Sequence, residues 1–112
     1  MSKSVTRTYS RYSLEAMQLL AGLIRAARLE RKLSTQEVAD RAGISRSMLQ
    51  RIEKADMKCG IGAVLEVATI VGVKLFDPEL TSLSRLIKQT EDKLSLLPQK
   101  ARNKKQVVDD DF

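Results

Sequence analysis

The sequence predicts an all-α fold of five helices, and three observations carry that prediction. Apolar residues recur at helical spacing in each segment between breaks, Ser34 to Lys54 holds two capping signals around Gly43, and Asp77-Pro78-Glu79 opens one more helix. One stretch, Val73-Lys74-Leu75-Phe76, alternates apolar and polar residues instead. A chain of 112 residues suits one domain with tails.

Residues 1–13 place Lys3, Arg7 and Arg11 among serines, threonines and tyrosines without a periodic apolar face, and read as a flexible basic arm. Arg7 or Arg11 could thread a minor groove, or the terminus is merely frayed. The folded domain is expected over residues 14–76. Its first helix should run from about Ser13 to Lys32, with Leu14, Met17, Leu20 and Ile24 as apolar positions. Glu15, Gln18 and Arg25 interrupt them, which leaves neither a membrane span nor a signal-peptide core. The expected address is therefore the bacterial cytoplasm, on the nucleoid.

Ser34 and Glu37 form a capping box, so a second helix should start near Thr35 and bury Val38, Ala39 and Ala42. Gly43 permits a left-handed exit and lets Ile44 drop into the core. Ser45 caps the third helix, whose apolar positions are Met48, Leu49 and Ile52. Arg46, Ser47, Gln50 and Arg51 then share the outward face, and all are hydrogen-bond donors. Arginine pairs with guanine O6 and N7, glutamine with adenine N6 and N7, and serine adapts to either. Alone, such a face is an ordinary solvated one; two hinged helices make it a DNA-reading one.

The stretch resembles the helix-turn-helix of the XRE family, of the Cro and phage-repressor type, over about residues 20–75. The resemblance rests on Leu33-Ser34, Glu37-Val38-Ala39, Gly43-Ile44-Ser45, and Leu49 followed by Glu53. It implies base contacts by Arg46, Ser47, Gln50 and Arg51, and places Ser34, Thr35 and Ser45 near phosphates. Thr35 stands where the family usually has a phosphate-bridging glutamine; Gln36 is shifted by one and joins the phosphate set. Ala55 stands where glycine commonly ends the recognition helix, so that helix is expected to run on toward Asp56. Arg28 and Glu53 match positions that pair in related repressors, which implies a partly buried ion pair clamping the first helix to the third.

Residues 55–60 should form a loop, followed by a fourth helix over about Gly62 to Val71 that buries Val64, Leu65 and Ala68 and stops at Gly72. Val73 to Phe76 is either a short strand paired with a second subunit, or an extended linker tucking Val73 and Leu75 into the core. A fifth helix over residues 77–97 carries Leu80, Leu83, Ile87, Leu94 and Leu97 at three- and four-residue steps if Thr90 is counted, with Leu86 widening the stripe. This seam suits a dimer or a protein partner; folding back on the domain is the alternative. Pro98 closes the helix, and residues 98–112 read as a disordered charged tail, with Lys100, Arg102, Lys104 and Lys105 preceding Asp109-Asp110-Asp111 and Phe112. The tail could dock through Phe112 or stay solvated.

Composition narrows function further. With no histidine or tryptophan and Cys59 as the lone thiol, no internal disulfide, Cys/His metal cluster or histidine-based nucleophile pair is available. The expectation is no enzyme, no cofactor and no metal. Residues 1–54 carry eleven Lys/Arg against five Asp/Glu, whereas residues 55–112 carry nine of each, so the net +6 resides in the DNA-reading half. The layout resembles the HipB-like antitoxins, which implies a homodimer on palindromic double-stranded DNA and a HipA-like serine/threonine kinase toxin as partner. A stand-alone phage-type repressor, or a protein-interaction adaptor on a helix-turn-helix scaffold, is the alternative.

Overall fold

The computed structural model describes residues 8–76 and 80–100. Five helices follow in order: α1 (Arg11–Glu30), α2 (Thr35–Ala42), α3 (Arg46–Glu53), α4 (Ile61–Val71) and α5 (Leu80–Leu96). No strand occurs among the described residues. The chain divides into two units between Leu75 and Phe76.

In the first unit α1 and α2 each pack on both α3 and α4. Ile24, Val38, Leu49, Ile52, Val67 and Val71 are fully buried at the centre, and the small side chains of Ala27, Ala39 and Ala68 let the helix backbones approach closely. Val38, Ala39, Leu49 and Ile52 lie where the sequence puts them, and Ala42, Ile44 and Met48 pack at the core margin. Leu65 corrects the expectation for α4, because it is 38% exposed while Val67 and Val71 join Val64 and Ala68 inside. At about 100° per residue, Val64, Val67, Ala68 and Val71 form one stripe, and Leu65 falls beyond its edge.

α1 starts earlier than expected. The Ser10 hydroxyl accepts the Ser13 amide at 3.1 Å, so Arg11, Tyr12 and Ser13 are helical and not part of an arm. Arg7 lies outside the described residues. α1 also ends at Glu30, short of Lys32, because Lys32 turns left-handed with φ 57°.

All four helices of this unit end by one hydrogen-bond pattern. The amides of Lys32, Gly43, Ala55 and Gly72 donate three residues back, to Leu29, Asp40, Ile52 and Thr69. The next amides, of Leu33, Ile44, Asp56 and Val73, donate five back, to Arg28, Ala39, Arg51 and Ala68. Each closing residue is left-handed, with φ of 57°, 70°, 64° and 89° in chain order. This is the Schellman closure, which satisfies the orphan carbonyls of a helix end. The third helix therefore stops at Glu53 rather than running on toward Asp56, and Ala55 adopts the glycine-like backbone itself. At Gly72 an added methyl would strike the Arg31 guanidinium, whereas Gly43 faces open space.

Val73 to Phe76 forms no strand within the chain. The Val73 amide is committed to the Ala68 carbonyl at 2.7 Å, and its half-buried side chain packs on the core. Leu75 and Phe76 are exposed. The linker reading thus holds for Val73 and fails for Leu75.

In the second unit, α5 is described from Leu80. The predicted start at Asp77-Pro78-Glu79 and the tail beyond Lys100 lie outside the described residues. Leu86, Ile87, Leu94 and Leu97 are exposed along it, and the Thr90 hydroxyl donates to the Leu86 carbonyl at 2.8 Å. The helix stops at Leu96, one residue before the expected end, and the Leu97 amide still reaches back to the Leu94 carbonyl.

Candidate nucleic-acid interface

The turn between α2 and α3 is set by two local devices, the left-handed Gly43 and the Ser45 cap. The Ser45 hydroxyl accepts the Met48 amide at 3.0 Å, which fixes where α3 begins. Burying Leu49 and Ile52 then rolls Arg46, Ser47, Gln50 and Arg51 outward, and all four are exposed.

The tilt of α3 is clamped from behind. Arg28 Nε donates to Glu53 Oε2 at 2.6 Å and its second terminal nitrogen donates to Oε1 at 2.9 Å, a two-pronged pair whose side chains are 9% and 7% exposed. The remaining terminal nitrogen donates to the Leu33 carbonyl at 2.9 Å. The Glu53 hydrogen bond, against the opposing pull of burial, raises the Arg28 pKa above its ordinary value. This is the partly buried ion pair expected between the first helix and the third. No buried side-chain nitrogen or oxygen among the described residues lacks a hydrogen-bond partner.

The residues assigned to phosphates sit at two unlike helix starts. At α2 the capping box is complete: the Ser34 hydroxyl accepts the Glu37 amide, and Glu37 Oε1 accepts the Ser34 amide at 2.8 Å. Those hydrogen bonds hold the Glu37 carboxyl below its ordinary range, so it stays ionised beside the helix start. Ser34 thus has only its hydroxyl proton to give, and anions meet a fixed negative charge. Thr35 is half-buried, and the exposed Gln36 donates its side-chain amide to Asp40 at 2.8 Å. At α3 no acid occupies the first turn, and Arg46 follows the Ser45 cap. That second start is the better anion cradle.

One partnership on this face has no counterpart in the sequence reading. Arg51 Nε donates to Asp56 Oδ2 at 3.0 Å, with the two side chains 45% and 32% exposed. A spacing of five residues is not a helical pairing, and only the left-handed turn at Ala55 brings Asp56 back onto α3. The Lys58 amide and the Arg51 guanidinium together hold the Asp56 carboxyl below its usual range.

The residues assigned to a dimer or partner divide between the units. Val73 and Leu75 follow α4, Leu80, Leu83, Ile87 and Leu94 lie along α5, and Phe112 is outside the described residues. An apolar groove of about 360 Å³ borders the start of α1, lined among others by Tyr12, Met17, Leu20, Met57, Cys59 and Ile61. Burial, then the Asp56 charge, pushes the Cys59 thiol above its ordinary value. Among the described residues no cluster of acidic, histidine or cysteine side chains could hold a metal ion, and no helix is long and apolar enough to cross a membrane.

Comparison with known proteins adds one match. Residues 24–76 match a family model described as Helix-turn-helix, while no curated protein and no solved structure matches the chain. The matched segment contains the Arg28–Glu53 clamp, the Gly43 turn, the whole of α3 and all of α4. Residues 24–76 are thus similar to the helix-turn-helix family, and the similarity covers the segment from within α1 to the residues after α4.

Proposed function

We propose that this protein is a sequence-specific DNA-binding transcriptional repressor, acting as a homodimer on a palindromic operator. The observation that carries the reading is α3 itself, whose Arg46, Ser47, Gln50 and Arg51 face outward while Arg28 and Glu53 lock its other side. In this reading those four residues address base edges, and Ser45, Thr35, Gln36 and Ser34 address phosphates. The excess positive charge of residues 1–54 supplies the sequence-independent attraction. The dimer draws on the α5 stripe through half-buried Leu83 and exposed Ile87 and Leu94, and exposed Leu75 and Phe76 can add to it. Two copies would present α3 about 34 Å apart, one turn of DNA.

Selection from random duplexes, followed by gel shifts at two salt concentrations, tests the reading. Arg46→Ala should cost about 1–3 kcal/mol and relax preference at one defined base, and loss of one phosphate contact should weaken all sequences alike. Uniform weakening by Arg46→Ala would remove it from the base readers. The finer role, antitoxin to a HipA-like kinase, is supported by the layout of a helix-turn-helix followed by further partner-directed sequence; a kinase gene beside this one, and co-purification of its product, would test it. The exposed α5 leucines also favour the adaptor alternative, which gains if no duplex is retained at either salt.

A further inference from the structure

We infer that Asp56 is a positioning residue for base recognition, holding Arg51 by its Nε so that the two terminal nitrogens of the guanidinium are presented together to one guanine. The inference rests on the DNA-reading role proposed above for α3. Asp56 is fixed at three points: Oδ2 accepts Arg51 Nε, Oδ1 accepts the Lys58 amide at 2.9 Å, and its own amide donates to the Arg51 carbonyl at 3.0 Å. Its anchor is therefore the backbone of the α3 exit, not a mobile side chain.

A two-pronged contact to guanine O6 and N7 needs two donors at fixed separation, and the terminal nitrogens of arginine provide them once Nε is engaged elsewhere. Free arginine loses side-chain entropy when it docks on a base; Arg51 has lost part of it before DNA arrives. The same carboxylate repels phosphates, so it weakens sequence-independent binding while sharpening the readout. Arg46, by contrast, has no acidic neighbour in the first turn of α3. Of the two arginines of the face, Arg51 is the one with a built orientation.

The test compares the full-length protein with Asp56→Asn, Asp56→Glu and Arg51→Ala, singly and with Asp56→Asn combined with Arg51→Ala. Binding is measured on the best duplex selected by the wild type and on its single-base variants. Arg51→Ala identifies the base pair that Arg51 reads. Asp56→Asn, whose amide oxygen can still accept the Lys58 amide, should reduce discrimination at that pair about tenfold, leave the Arg46 pair unchanged, and raise affinity for unrelated DNA. Asp56→Glu should restore part of the discrimination. In the Arg51→Ala background, Asp56→Asn should change only the affinity common to all sequences.

Unchanged discrimination in Asp56→Asn, or equal loss at the Arg46 and Arg51 pairs, overturns the inference and leaves the repressor reading standing. Equal loss would mean that Asp56 merely supports the loop, which a fall in melting temperature would register. Failure of the wild type to select any duplex overturns both.

Discussion

The four helix ends of the first unit share one hydrogen-bond pattern but not one chemistry. α2 and α4 close through Gly43 and Gly72, with alanines (Ala39, Ala68) supplying the carbonyl five residues back and apolar Ile44 and Val73 following the turn. α1 and α3 close through Lys32 and Ala55, which pay a left-handed strain of roughly 1–2 kcal/mol each. In both of these the carbonyl five residues back belongs to an arginine, and its guanidinium reaches across the turn: Arg28 to the Leu33 carbonyl, Arg51 to the Asp56 carboxylate. Where glycine removes the strain, hydrophobic contact completes the end; where it is absent, an arginine staple offsets it. The two stapled ends belong to the two helices that the Arg28–Glu53 pair joins, so the strained turns sit on the elements that aim the exposed donor face of α3.

Breaking the Arg28–Glu53 clamp behind the deeper staple should have the largest effect. Glu53→Ala leaves Arg28 charged and buried with only the Leu33 carbonyl as partner, and one-sided loss of a buried pair costs about 3–5 kcal/mol. For a unit of this size each kcal/mol moves the melting temperature by about 4–8 °C, so thermal unfolding should drop by at least roughly 12 °C. A shift of only a few degrees would show that the clamp behaves as a surface pair. Asp56→Asn, by the same calorimetric measurement, should move the temperature far less, since the Arg51 staple is exposed.

The glycine-closed ends separate from one another next. Gly43→Ala meets open space and carries only the left-handed strain, roughly 1–2 kcal/mol. Gly72→Ala carries the same strain and must also displace the Arg31 guanidinium. It should therefore be the more destabilising in urea denaturation. Equal midpoints would mean that Arg31 moves aside without cost.

Ala55→Gly reverses the comparison by giving a stapled end its glycine. Relief of the turn should raise stability by up to about 1 kcal/mol, less whatever entropy glycine adds to the unfolded chain. No gain would mean that the Arg51–Asp56 contact already holds the turn without residual strain.

These ends also show what the sequence could convey. Gly43, Gly72, Ser34 with Glu37, and Ser45 act within a single turn, and each was legible because a local rule ties residue type to backbone state. The Arg28–Glu53 pair, 25 positions apart, has no local rule and was reachable only through likeness to related repressors. Lys32 and Ala55 misled, because neither residue type favours a positive φ and the compensating arginine acts through folded geometry. The Arg51–Asp56 contact was invisible for the same reason: it exists only once Ala55 turns left-handed. Leu65 failed for a simpler cause, since two adjacent apolar residues on a short helix leave its stripe ambiguous by about 100°. The donor face of α3 was readable because burial of Leu49 and Ile52 leaves Arg46, Ser47 and Gln50 nowhere to point but outward.

Acid gives the smallest effect and tests both kinds of end at once. Glu37 is lowered chiefly by the Ser34 backbone amide and Asp56 chiefly by the Lys58 amide, from ordinary values of 4.5 and 3.8. Because the folded protein holds each carboxyl ionised to lower pH than the unfolded chain does, their contribution is fully present above those ordinary values and is lost as pH falls through the folded ones. Both groups are solvent-screened, so the melting temperature should be level from neutrality to about pH 5 and decline gently below about pH 4.5. Glu37→Gln should flatten part of that decline by loosening the start of α2, and Asp56→Asn another part by releasing the α3 staple. If the acid slope is unchanged in Asp56→Asn, the carboxylate is not what completes the end of α3, and the turn at Ala55 stands on backbone hydrogen bonds alone.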